Sequence, residues 1–125
     1  MFRDQSQNLS VAASLVPAAR TATANGTGID LQGFRAATVI VSAGTITDGT
    51  HTPKVQESDD NSAWTDVDAA DLTGLLVAII SASVQEVGYR GLKRYLRVVS
   101  TVSGATTGGV YSASVIRGQP LKSPK

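Results

Sequence analysis

Residues 54–67 read KVQESDDNSAWTDV, and this stretch decides the fold class. Val55 and Glu57 alternate with Lys54, Gln56 and Ser58, the period of two that places successive side chains on opposite faces of a strand. Asp59, Asp60, Asn61 and Ser62 follow. All four residue types bond their own backbone or tolerate positive φ, so they form a compact turn. Ala63 to Val67 then resumes the extended pattern. Two short runs around a polar turn predict a β-hairpin.

The same reading extends outward on both sides. Ala36–Ala43 is a strand with Val39 and Val41 on one face and Thr38, Ile40 and Ser42 on the other, and its β-branched residues suit a pleated surface. Asp48-Gly49 marks a turn, and Pro53 suits a strand start or an exposed edge. Ile29–Leu31, Val87–Arg90, Arg94–Val102 and Val110–Arg117 complete the strands. In Arg94–Val102, Leu96 and Val98 are expected to face inward and Tyr95 and Arg97 outward. Leu72–Ser83 fits either a short helix or a buried strand. Short strands spaced by Gly and Asp turns, without a clear helix, predict an all-β protein, a jelly-roll-like antiparallel β-sandwich.

The first 26 residues are weakly patterned. Ser10–Val16 has strand character, and Pro17 limits its pairing to an edge or an end. The expected organisation is an N-terminal arm (1–26), a sandwich domain (27–118) and a flexible tail (119–125). Deletion of residues 1–20 is expected on this reading to leave the domain folded.

A length of 125 residues with 42% hydrophobic residues supports one ordinary core. Cysteine is absent, which excludes disulfides and thiolate metal sites. The apolar run Leu75–Ile80 is too short to span a bilayer, and the chain is expected to be soluble. Net charge is +1 but unevenly divided. Residues 1–86 carry all ten acids against four cations, a balance of −6, and residues 87–125 carry seven cations and no acid. Such a division serves an interface, or it cancels when strands of the two halves interleave.

Catalytic and metal chemistry find little support. His51 is the only histidine, and no Ser or Asp arrangement is tied to it, so a surface histidine is expected. Asp59, Asp60, Asp66, Asp68 and Asp71 lack the spacing of a calcium loop. Glu57 and Glu86 are not placed together as a glycosidase pair would be. Gly104–Gly109 lacks the Lys-Ser/Thr ending of a phosphate loop. Lys93, Arg94 and Arg97, interleaved with Tyr89 and Tyr95, fit a single-stranded nucleic-acid clamp less well than a subunit contact. No cofactor is expected.

The hairpin VQESDDNSAWTDV together with KRYLRVV resembles discoidin-like, carbohydrate-binding jelly rolls. That likeness covers some twenty residues and implies architecture. The loops that bind ligand in those modules have no counterpart here. The longer series LVPAARTATANGTGIDLQGF, ATVIVSAGTITDGTHTPKVQESDDNSAWTDV and GYRGLKRYLRVVSTVSGATTGGVYSASVIRG is similar to small structural proteins of tailed bacteriophages. It implies a non-enzymatic virion component, made in the host cytoplasm, that decorates or stabilises the head. Its partners would be the major capsid protein and copies of itself. Expected contacts are Phe2, Arg3, Leu9, Val11 and Leu15 on the arm, then Arg90, Lys93, Arg94 and Arg97. The alternative is a tail-associated or carbohydrate-binding adhesion module, with Trp64, Tyr89 and Tyr95 as the stacking residues.

Overall fold

The computed structural model describes residues 4–121. Ten strands follow one another: β1 (Leu9–Arg20), β2 (Ala24–Asn25), β3 (Ile29–Asp30), β4 (Phe34–Ile46), β5 (Thr50–Ser58), β6 (Thr65–Asp66), β7 (Leu72–Thr73), β8 (Val84–Tyr89), β9 (Tyr95–Ser103) and β10 (Gly109–Pro120). A single 3₁₀ turn, Ala69–Asp71, is the only helical element among the described residues. One sheet has the order β1-β10-β4-β8-β7, the other β2-β9-β5-β6, with β3 also on β9. All pairings are antiparallel. From β4 onward the long strands alternate between the sheets, with β4, β8 and β10 in the first and β5 and β9 in the second.

The core lies between the sheets. Val39, Val41, Val87, Tyr111, Ala113 and Val115 of the first sheet meet Val55, Leu96 and Val98 of the second. The alternation read in β4 and β9 holds: Val39, Val41, Leu96 and Val98 are buried. The expected hairpin is present as well, with Gln56 opposite Asp66 and Glu57 opposite Thr65. Its turn is self-bonded. Asp60 Oδ1 accepts the N–H groups of Ser62 and Ala63, and Asn61 takes φ +61°.

The N-terminal arm requires correction. Residues 9–20 form a full edge strand on β10, and Leu15 is buried in the core. Register shifts flank Leu15, one of them spanning Pro17. These bulges let two successive residues, Ser14 and Leu15, both point inward. Ser14 then joins the two sheets. Its Oγ donates to Thr27 O (2.9 Å) and accepts Val98 N–H (2.9 Å), while its carbonyl accepts Thr27 N–H (2.7 Å). This junction interrupts what would otherwise be one edge strand, leaving β2 and β3 as separate pieces on β9. The tail is also shorter than expected. Gln119 and Pro120 belong to β10, and Leu121 N–H reaches Gly33 O. Residues 122–125 lie outside the described residues.

Residues 74–83 are neither helix nor strand. They run as a strap across the opposite side of the sandwich. Ile79 plugs the core and donates its N–H to His51 O on β5. Ala82 and Ser83 return to Gly44 and Ala43 on β4. In place of a partner strand, the Gln85 side chain bonds both the N–H and the C=O of Val77. The bulk of the strap's backbone follows no regular period, which is why the run fitted two readings equally.

His51 corrects another expectation: it is fully buried. Nε2 lies 3.0 Å from Asp48 O, and Nδ1 lies 3.0 Å from the Tyr111 hydroxyl, itself 2.6 Å from Ser100 Oγ. A carbonyl only accepts, so Nε2 carries the proton in the neutral ring. Nδ1 then accepts from Tyr111, whose oxygen accepts from Ser100. The side-chain polar atoms of His51, Tyr111 and Ser100 all find partners in this relay, which makes an imidazole tolerable inside the core.

Candidate functional site

The basic residues singled out from sequence gather at the end of the sandwich where the β3–β4 and β8–β9 loops meet. Each engages a group from the acidic part of the chain or its backbone. Arg94 forms a bidentate pair with Asp30 (2.9 and 2.8 Å). Lys93 Nζ meets Asp59 at 2.8 Å. Arg90 donates to Ala70 O. Arg97 donates from Nε and Nη2 to Gln56 Oε1 and lies over the Trp64 ring at 4.5 Å. The uneven charge along the sequence therefore cancels locally at Lys93 and Arg94, the two of these cations that meet a carboxylate. These exposed ion pairs are screened by solvent and add little to stability, but they occupy cations that a nucleic-acid clamp would need free.

The three aromatic residues do not form a shared platform. Tyr89 is buried, and its hydroxyl donates to Glu57 Oε1 (2.7 Å) and accepts Lys93 N–H (3.1 Å). Burial, reinforced by Glu57, pushes the Tyr89 hydroxyl well above the ordinary phenol range. Trp64 is half-buried, with the Arg97 guanidinium over its face and its edge against Gly28. Arg94 covers Tyr95 at 5.1 Å.

Between the two loops lies an open groove of about 480 Å³, walled by Leu31, Phe34 and Leu92 and rimmed by Arg35 and Arg94. Arg117 stacks on Phe34 from behind, donates to Asp30 O and to Ser10 Oγ, and so ties β10 to β3 and β1. Arg35 is exposed at the rim. Sequence reading missed the groove because its lining comes from residues some sixty positions apart. No group of three or more His, Asp or Glu residues suited to a metal ion occurs among the described residues.

Of the arm residues, Phe2 and Arg3 lie outside the described residues. Leu9 is half-buried at the start of β1, and Leu15 is core and therefore closed to a partner. Val11 is exposed on the edge strand, where it was expected to make contacts.

No family model matches the chain, and no curated protein does. Among solved structures there is a match across nearly the whole fold. The fold is similar to that of the SPBc2 prophage-derived protein YomS. The likeness covers 89% of this chain and 94% of YomS, with a TM-score of 0.57 and 18% identity. YomS and this chain thus share one architecture across almost their full lengths, with most side chains replaced.

Acid sensitivity should follow from the carboxylates that hold the loops. The Gly108 and Thr107 N–H groups, with that of Thr106, keep the Asp48 carboxyl below the usual carboxylate range. The Ala63 and Ser62 N–H groups do the same for Asp60, and Arg94 does so for Asp30. A folded pKa below the unfolded one means that the unfolded chain binds more protons in acid. The stabilisation is present above the unfolded value of about 3.9 and is lost as pH falls through the folded one. Urea midpoints are therefore expected to hold between pH 7 and 5 and to drop below about pH 4. Asp48→Asn should shrink that drop, and an unchanged acid slope would remove Asp48 from the account.

Proposed function

We propose that this chain is a non-enzymatic structural component of a phage particle, a head decoration or minor capsid protein that binds the shell. The observation that supports this most is the end-to-end likeness of fold to a prophage-derived protein. The long sequence resemblance to small structural proteins of tailed phages agrees with it. A compact sandwich whose polar side chains are spent on internal pairing suits such a role. Repeated attachment on a many-copy shell compensates for weak individual contacts. The major capsid protein and further copies of the chain are the partners in this reading.

The test is mass spectrometry and electron cryo-microscopy of purified particles carrying the gene. Copies distributed over the head, in numbers that scale with the shell, are the expected result. Absence from particles overturns the virion role, and confinement to the tail overturns the head assignment.

A further inference from the structure

The groove between the β3–β4 and β8–β9 loops lies where the first sheet is incomplete. β10 runs beside β4 as far as Phe34, opposite Pro120. β8 leaves sooner. Its last rung on β4 is Tyr89 opposite Ala37, and Arg90 N–H then turns away to Asp71 O. Phe34, Arg35 and Ala36 are therefore flanked by a strand on one side only, and they line the groove together with Tyr89, Gly91 and Leu92 of the departing chain. The alternation of β4 puts Arg35 on the face of Ala37, Val39 and Val41, yet those three are buried and Arg35 is exposed. It stands on the core side of the sheet, just past the point where the core ends.

Electrostatics single out the same residue. The charged residues lining the groove are Arg35, Lys93 and Arg94, and no acid joins them. Lys93 is held by Asp59 and Arg94 by Asp30. Arg35 is the one lysine or arginine among the described residues with no hydrogen bond, ion pair or ring contact. We propose that the groove takes an extended acidic peptide of a partner protein. Its backbone lies beside Phe34–Ala36 where β8 has left, its carboxylate pairs with Arg35, and an aliphatic side chain rests on Leu31, Phe34 and Leu92. Each part of the site asks for one part of that ligand. A sheet margin without a partner accepts main-chain bonds from an added strand. A guanidinium offers a carboxylate two parallel bonds. One unpaired charge suits a single carboxylate, whereas a polyphosphate would also meet Asp30 and Asp59 at the rim. The three open residues span about 10 Å, so a short segment fills the site.

The test uses purified protein and synthetic peptides, so its failure leaves the particle role standing, and absence from particles leaves the peptide site untouched. Isotope-labelled chain is titrated with acetyl-Thr-Leu-Thr-Asp-Thr-amide and acetyl-Thr-Asp-Thr-Leu-Thr-amide, which keep both side chains on one face of a strand in either direction. One of them is expected to bind with Kd below ~1 mM, with amide shifts confined to residues 31–37 and 89–94. Asn in place of the peptide's Asp, or Arg35→Gln in the protein, should each weaken binding roughly tenfold. The two changes together should cost no more than either alone; additive losses would mean that Arg35 does not meet the carboxylate. N-methylation along the peptide should abolish binding at alternate positions and spare those between, the signature of one margin in a ladder. Leu92→Ser, at a side chain 99% exposed, should weaken binding several-fold and leave the melting curve unchanged. Three results would overturn the proposal. They are no shifts at ~5 mM of either peptide, equal binding of the Asn peptides, and binding of free 4-methylpentanoate as tight as that of the peptides.

Discussion

A chain beginning at Thr21, without residues 1–20, is expected to be unfolded. The deletion removes the strand that pairs along β10 from Leu9–Gly118 to Arg20–Gly109. It takes Leu15 out of the core, a loss of about 3–5 kcal/mol if that site behaves like other buried leucines. The Ser14 bonds to Thr27 and Val98 disappear with it, which leaves a buried N–H without a partner at about 1–3 kcal/mol. One margin of β10, whose inward residues Tyr111, Ala113 and Val115 are buried, would also open to water. Together these exceed much of the 5–15 kcal/mol that a domain typically has. Far-UV circular dichroism and a thermal melt decide the matter. A cooperative transition within a few degrees of the full chain would mean that β1 is dispensable.

The second large effect is expected at Gly26. A methyl group there would collide with Ser14 Oγ, stand 2.5 Å from Val98 O and 2.9 Å from Ser14 O. Two of these neighbours are backbone atoms in paired strands, so they cannot swing aside. Gly26 N–H also donates to Val98 O at 2.8 Å, which holds the chain close to β9. Gly26→Ala should destabilise by about 3 kcal/mol and lower Tm by roughly 10 °C. Gly104→Ala is the control. That position has φ +69° and nothing within 4 Å of the added carbon, so it should cost only ~1 kcal/mol of backbone strain. Equal losses at the two sites would show that close packing at the Ser14 junction does not govern stability.

The parts of the fold that were legible depend on near neighbours in sequence. The Asp60 turn bonds its own residues two and three positions on, and the burial alternates from Ala36 to Ala43 in β4 and from Tyr95 to Val98 in β9. What could not be read depends on partners far away. Ser14 breaks the alternation of β1 because its hydroxyl is satisfied by Val98, 84 residues later. His51 looks like a surface residue until Tyr111, 60 residues later, supplies its hydrogen bond. Residues 74–83 carry no period because they cross between sheets, held by Gln85 rather than by a ladder. The same limit applied to the candidate site. Lys93 and Arg94 looked available for a partner because Asp59 and Asp30, which hold them, lie 34 and 64 positions earlier.

The antiparallel pairing of β1 with β10 has a mechanical consequence. Leu9 sits opposite Gly118, so the start of the first strand and the end of the last lie side by side. Tension applied between those two points peels the pair one rung at a time, and each hydrogen bond meets the load alone. Tension drawn across the sheet, from the β1 margin to the β8 margin, instead loads every rung of the β1–β10, β10–β4 and β4–β8 ladders together. A protein tethered by its margins would thus resist a force that would unzip the same protein held by its ends.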